Sequence, residues 1–451
     1  MPPAIVWFRR DLRVHDHPAL REALASHGEV VPFFCLDDRL LHGRHASGPR
    51  TQFMLECLHD LDGSLDGRLV VRRGRPEREL ARLAAETGAE DVYFSADVSP
   101  FARQRGRRAA AIGLRMHARP GLTVTGDVGD YSVFSPFHRR WLKEPRRDVL
   151  GAPRKLRGPR PGGDGIPRIE ELGLRQEVAE PMLGGEAEAR RRMTNFLRGP
   201  LKSYRNRADM LGDDRSSRLS PYLHFGCVSP RELESRLPDG EEPDAFRRQL
   251  AWRDFYHQVL LHHPENATQE HQRRYRGSLS WEYDDAKLRA WQEGRTGYPL
   301  VDAGMRQLRH EGWMHNRARL VVASFLTKDL GMDWRLGERF FMRLLLDGDE
   351  ANNNGNWQWI ASVGVDPQPA YRRIYNPARQ MERFDPRGAY VRRHVPELRD
   401  VPYEHLREPW RMPDEVQRAA GCVIGRDYPA PLVDHLEARR EALERYRAAA
   451  A

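Results

Sequence analysis

Between Asp347 and Trp359 the chain sets two aspartates, four asparagines and two tryptophans within thirteen positions (DGDEANNNGNWQW), flanked by apolar segments. Carboxylates and carboxamides are costly to bury unless every polar atom finds a partner. Such a cluster therefore predicts a polar, planar ligand whose edges the side chains hydrogen-bond and whose surroundings the indoles wall in. Asp347 and Asp349 alone would read as loop residues before a turn; Asn353, Trp357 and Trp359 beside them argue for a site. The preceding segment, Gly312–Asp329, reads as a helix presenting Asn316, Arg319 and Leu320 at i, i+3 and i+4, so one face is polar and specific. A second helix through Asp244–Tyr256 puts Gln249, Trp252, Arg253 and Tyr256 on one side. In Ser216–Pro221, Ser220 is expected as a helix N-cap with Pro221 at the first helical position. Free N–H groups and hydroxyls at such a start suit a diphosphate, although most Ser-Pro pairs only cap helices.

These groups must be held by something large. The chain has 451 residues, enough for two or three domains with a substantial core. Short apolar runs at Ala4–Phe8, Val30–Leu36, Val70–Val71 and Val92–Phe94 alternate with helical patterns at Pro18–Ala25 and Glu77–Glu86. The alternation predicts an α/β first half with a Rossmann-like parallel sheet, covered by helices, whose ligand crevice lies at the carboxyl ends of the strands. No GxGxxG follows the first strand, so a dinucleotide is not expected in this half. Residues 131–190, rich in Pro, Gly and Arg around GPRPGGDG (158–165), read as a solvated interdomain linker between a domain at 1–130 and one at 191–451. Beyond it the period is helical, at Ala187–Leu197, Asp244–Leu261, Ala286–Gln292 and Trp334–Leu346, and an all-α second domain is expected. The Arg-rich tail after Leu432 reads as a solvated helix.

Lys+Arg 74 against Asp+Glu 65 gives a formal charge of +9, mostly from arginine, whose planar fork suits phosphate; a generally Arg-rich proteome explains the excess equally well. The four cysteines, Cys35, Cys57, Cys227 and Cys422, show neither disulfide nor metal spacing, so no metal is expected and a reducing cytoplasm fits. The N-terminus lacks an export signal, and no apolar stretch is long enough to span a membrane.

Four segments in order, Trp7–Pro18 (WFRRDLRVHDHP), Gly294–Gly304 (GRTGYPLVDAG), Gly312–Asp329 and Asp347–Trp359, closely resemble the photolyase/cryptochrome family. The resemblance implies an N-terminal α/β antenna-chromophore domain and a helical FAD-binding domain. Tyr204 and the run Ser216, Ser217, Arg218, Leu219 and Ser220 match positions around the FAD phosphates. Trp252, Arg253, Asn316, Arg319, Asp347, Asp349 and Asn353 match others around the cofactor, with Asn353 facing flavin N5 and an Asp347–Arg319 pair at the ring edge. Ten tryptophans would ordinarily mean a well-filled core, but seven fall between Trp252 and Trp359. Of these, Trp281, Trp334 and Trp357 match the family's electron relay to the flavin, with Trp291 a further bridge.

Gln249, Trp252, Asn316, Arg317, Leu320 and Trp359 match the pocket that receives a dinucleotide lesion turned out of DNA, as enzymes acting on stacked bases require. Three departures stand out: Gln249 replaces the usual glutamate, Leu320 a frequent methionine, and Gly364–Asn376 is one residue longer than the common pattern. Asn316 stands where the (6-4)-photoproduct branch has a catalytic histidine, and the adjacent His315 reads as a packed core residue. Phe94–Arg105 lacks the Asn-Glu pair of folate binders, which favours an 8-hydroxy-5-deazaflavin antenna over methenyltetrahydrofolate, with an empty pocket as the alternative. The resemblance implies a monomeric class I-type cyclobutane-dimer photolyase, a carbon–carbon lyase acting on UV-damaged DNA. A cryptochrome photoreceptor is the alternative, and a helical nucleotide-binding protein without photochemistry the plainer one.

Overall fold

The computed structural model describes residues 1–450. Five parallel strands, β1 (Ala4–Phe8), β2 (Val30–Leu36), β3 (Val70–Arg73), β4 (Asp91–Ser95) and β5 (Arg115–Arg119), form one sheet in the order β3-β2-β1-β4-β5. The register pairs Ala4 with Val30, Ile5 with Val92 and Phe33 with Val70. Every residue of β1 and β2 is buried, which is why both read as unbroken apolar runs. The strand order reverses at β1, so the crevice outside its carboxyl end, toward β4, is the topological switch point. A cavity of about 290 Å³ opens there, lined by Arg9, Phe94, Asp97, Arg103 and Arg107 among others.

The sequence pattern missed β5. As an edge strand reading RMHAR it is half-exposed, and its Arg115 and His117 pair with Asp91 of β4 rather than filling a core. The Pro/Gly-rich segment also departs from a simple solvated tether. Val30 N–H donates to Arg157 O at 2.8 Å and Asp164 N–H to Val71 O at 2.8 Å, so it docks along the sheet. A Cβ on Gly163 would stand 2.9 Å from Val71 O, so only glycine permits that approach.

The second half is helical, with Glu186–Arg198, Glu241–His262, Pro299–Glu311, Asn316–Ser324, Trp334–Leu344 and Glu350–Ile360 as its principal elements. The helix expected from Gly312 begins only at Asn316. Gly312, at φ +63°, terminates the preceding helix, and the His315 ring accepts the Arg317 N–H as a cap. It then widens into a π turn, Phe325–Asp329. The C-terminal helix His435–Ala450 is packed on one face, contrary to the solvated reading. Ala442 and Tyr446 are buried, His435 pairs with Asp329 at 2.5 Å, and Lys328 Nζ lies 3.7 Å from the Tyr446 ring centre. Spaced by 3.6-residue turns, the inward residues are outnumbered by the helix's glutamates and arginines together.

The WFRRDLR segment fastens the two halves. Leu12 N–H donates to Phe225 O at 2.9 Å, the buried Arg13 donates to Gly226 O at 2.8 Å and Gly121 O at 3.0 Å, and Glu186 accepts the Val14 N–H at 2.7 Å. Gly226 sits at φ +68°, and a Cβ there would lie 2.2 Å from Arg10 O. Gly226→Ala should therefore destabilise the protein by roughly 2–4 kcal/mol, combining a left-handed side chain with overpacking. Urea unfolding reads this, and a loss under about 1 kcal/mol would show that the junction yields.

Candidate active site in the helical half

Three helices and one irregular segment enclose a cavity of about 580 Å³, within the roughly 300–1,000 Å³ usual for small-molecule sites. The helix Glu241–His262 turns Gln249, Trp252, Arg253 and Tyr256 toward it, an i, i+3, i+4, i+7 face. The helix Asn316–Ser324 contributes Asn316, Arg319, Leu320 and Ala323 at the same spacing. Asn352, Asn353, Asn356, Trp357 and Trp359 come from Glu350–Ile360, and Tyr204, Ser216, Ser217, Arg218, Leu219 and Ser220 from the irregular segment. Asp347 and Asp349 line it too, as do Phe341 of the helix Trp334–Leu344, His224 and His315.

One wall is an ordered polar edge. Arg319 donates to both oxygens of Asp347 at 3.1 and 2.8 Å, with its Nε on Met314 O at 2.8 Å, so the bidentate pair is held from both sides. The Asn353 amide donates to Glu338 O at 3.0 Å, which fixes its orientation and leaves its oxygen as an acceptor. Asp349 caps its helix by accepting the Asn352 N–H at 2.8 Å, and it pairs with Arg10 from the end of β1 and with His257 at 3.3 Å. Burial would raise its carboxyl, but Arg10 and His257 hold it well below the usual carboxylate range. Burial, reinforced by Arg10, pushes His224 down to about 4, and burial does the same to His315.

At the opposite end the hydroxyls gather. Ser217 Oγ accepts the Leu219 N–H at 3.3 Å, and Ser220 Oγ accepts the Trp313 indole N–H at 3.3 Å. Ser220 is the first residue of a single-turn helix, Ser220–His224, with Leu219 in front, so it is not the cap the sequence suggested. Arg218 takes a left-handed φ of +50° and is anchored by Asp214 at 2.9 Å and Glu311 at 2.8 Å, a strained residue held by its surroundings. Its guanidinium covers the Trp313 ring at 4.4 Å. A diphosphate fits hydroxyls and guanidinium so grouped, and a ring with donor and acceptor edges fits Arg319, Asp347 and Asn353. The donor set thus suits a folded dinucleotide such as FAD.

Trp252 and Trp359 also border the cavity. Trp252 stacks on Phe134 at 3.7 Å with planes 4° apart, while Arg373 covers Trp359 at 3.9 Å and Asp366 accepts its N–H at 3.4 Å. Gln249 is exposed on the same helix face as Trp252. Arg317 is the exception among the expected contacts. It lies outside the cavity wall, with Nη2 on Asp209 at 2.6 Å and its guanidinium 4.1 Å from the Phe384 ring. In any helix residue 317 follows 316 by about 100° of turn, so it lies off the face shared by 316, 319 and 320.

Trp357 lines the cavity, whereas Trp334 and Trp281 do not. The Trp357 ring is 5.0 Å from Phe341 and 6.2 Å from Trp291, and a Cβ on Gly337 would stand 2.1 Å from it. Gly337 lies one turn after Trp334 on the same helix, so that face carries Trp334 alongside. Trp281 precedes Glu282, whose N–H donates to Gly331 O at 2.8 Å, which brings it to the chain entering the Trp334 helix. Sequence reasoning gave no role to Arg10 or His224. Arg10 sat within a quoted motif, but only the fold shows that it crosses to Asp349. Among the described residues no group of three or more His, Cys, Asp or Glu could hold a metal ion, and no helix is long and apolar enough to cross a membrane.

Residues 4–155 match the family model for DNA photolyase, and residues 246–448 the model for the FAD binding domain of DNA photolyase. The chain is 45% identical over 461 residues to the deoxyribodipyrimidine photo-lyase of Streptomyces griseus, covering 97% of this chain and 98% of that one. A bacterial class III photolyase from Agrobacterium tumefaciens superposes with a TM-score of 0.91 at 33% identity, covering 100% and 98% of the two chains. A cryptochrome from Synechocystis gives 0.91 at 29% identity, covering 98% and 99%.

The two depressed histidines predict an acid-sensitive site. Between about 6.5 and about 4 the unfolded chain binds protons at these positions that the folded chain refuses. Stability is thus fully present above that window and declines as pH falls through it. His224→Gln should flatten the slope of unfolding free energy against pH, and an identical slope in the variant would contradict the assignment.

Proposed function

The chain belongs to the DNA photolyase family, and on that premise we propose that it repairs cyclobutane pyrimidine dimers in UV-damaged DNA under light, with FAD as its cofactor. The observation that carries the reading is a single cavity holding both a polar edge suited to a flavin, formed by Arg319, Asp347 and Asn353, and an aromatic opening bordered by Trp252 and Trp359. FAD, when bound in its reduced form and excited by light, supplies the electron that opens the cyclobutane ring.

The remaining roles belong to the chain. Ser216, Ser217, Ser220 and Tyr204, with Arg218 and Leu219 completing the segment, hold the cofactor phosphates. Arg253, Asn316 and Asp349 support its rings. The Asn353 oxygen, oriented by the amide's bond to Glu338 O, would accept a hydrogen bond from a protonated ring nitrogen, and the Arg319–Asp347 pair presents a donor and an acceptor to the ring edge. Trp252 and Trp359 wall a flipped dimer, while Gln249, Asn316 and Leu320 meet its edges. Arg317 contacts the DNA by exchanging Asp209 for a phosphate. Trp281, Trp334 and Trp357 form the relay that reduces the cofactor.

We assign residues 1–130 to the antenna domain, 131–190 to the connection and 191–451 to the catalytic domain. The 290 Å³ cavity is the place for a second chromophore, with 8-hydroxy-5-deazaflavin preferred over methenyltetrahydrofolate. A cytoplasmic monomer completes the proposal. Gln249 favours a second reading, a cryptochrome-like photoreceptor, because a carboxamide supplies neither the charge nor the proton of a glutamate.

Illumination of the reduced protein with a thymine-dimer oligonucleotide should restore thymine absorbance; no restoration with reducible FAD bound would favour the photoreceptor. Binding of that oligonucleotide should weaken with added salt. Trp359→Ala should cost about 1–3 kcal/mol in dimer affinity, read by titration, and an unchanged Kd would remove this indole from the pocket. Gln249→Glu is expected to speed repair or tighten binding.

A further inference from the structure

We infer that Glu270 takes the indole proton of Trp334 when that residue is oxidised, so that the hole is trapped midway along the relay. The inference rests on the relay reading given above. Trp334 is 1% exposed, and its Nε1–H points at Glu270 Oε1, 3.4 Å away. The same oxygen receives Arg335 Nη2 at 2.8 Å, and the Arg335 guanidinium lies 4.7 Å from the Trp334 ring centre. Glu270 is itself buried, at 4% exposure. A buried indole needs one acceptor, and a backbone carbonyl suffices, as Val322 O does for Trp291 at 3.0 Å. Spending a buried carboxylate, with a guanidinium to neutralise it, is a costly way to satisfy one N–H. Among the described residues, Trp334 alone of the three relay indoles has a carboxylate against its nitrogen.

The step balances as follows. Trp357 would become a radical cation by giving one electron to the oxidant, by class an excited oxidised flavin. One electron passes from Trp334 to Trp357, restoring it. The oxidised indole is far more acidic than neutral indole, so its N–H bond breaks with the bonding pair remaining on nitrogen, and the proton forms an O–H bond at Glu270 Oε1. The product is a neutral Trp334 radical beside a carboxylic acid. Arg335 keeps its charge throughout, and its cation close to the ring disfavours the radical cation relative to the neutral radical. Return of the electron then requires return of the proton, which slows recombination.

Trp281 competes by refilling Trp334, so the test uses holoenzyme in a Trp281→Phe background, where the hole stops at Trp334. Flash spectroscopy should show a protonated tryptophan radical converting to the neutral one, more slowly in D₂O, with a carboxylic acid C=O band rising in step in the infrared. In Trp281→Phe/Glu270→Gln the protonated radical should persist until recombination, which should be roughly tenfold faster or more, and the band should be absent. A neutral radical forming equally well without Glu270, or no D₂O effect and no acid band in Trp281→Phe alone, would overturn the inference. The D₂O and infrared readings need no change at Glu270, so they decide the matter even if that variant does not fold. Trp334→Phe separates the two levels: unimpaired photoreduction removes the relay reading, while a block with Glu270 inert removes only the role of Glu270.

Discussion

One buried carboxylate ties the architecture to the chemistry. Asp349 caps the helix that carries Asn353, Trp357 and Trp359, pairs with Arg10 at the end of β1, and meets His257 on the long helix. Removing one partner of a buried ion pair commonly costs about 3–5 kcal/mol, because the other is left unpaired in a poor solvent for charge. The α/β half, the long helix and the polar wall of the cavity are therefore positioned against the same group. Arg10 also lies 3.5 Å from Asp97, which lines the smaller cavity of the N-terminal sheet, so one guanidinium stands between the two cavities.

The site follows from periodicity acting on rigid elements. Two helices each present cavity-lining residues at i, i+3, i+4 and i+7, and the capped helix supplies adjacent asparagines and indoles. Rigid mounting matters because electron transfer and hydrogen bonding to a ring edge both depend on small distances. The Arg319–Asp347 pair is fixed by Met314 O, the Asn353 amide by Glu338 O, and the Trp359 ring by Arg373 and Asp366. Each functional group has its orientation set by a neighbour with no evident role in the chemistry.

The same physics explains what the sequence concealed. β5 carries charge because an edge strand faces water, so it lacked an apolar signature. The C-terminal helix sets its inward residues among a larger number of glutamates and arginines. Cys57 and Cys227, 170 positions apart, lie with sulfurs 3.4 Å from each other, and no spacing rule could have paired them.

The sequence left Leu223, His224, Phe246, Leu250 and Phe341 out of the wall, but by itself it determined the α/β and helical halves, the ligand class of the second half, and the polar and aromatic side chains that two helices present to the cavity. Those depend on local periods of two and 3.6 residues and on residue types that are expensive to bury without a purpose. Only the tertiary structure decided that Arg317 faces Asp209 instead of the cavity, that Ser220 accepts from Trp313 instead of capping its helix, that Arg10 reaches Asp349, and that Glu270 meets Trp334. A side chain's partner across the chain is fixed by how helices pack and where each one starts. Helical periodicity fixes which side chains share a face, but what that face meets is set by segments distant in sequence, and no local pattern of residue types records those partners.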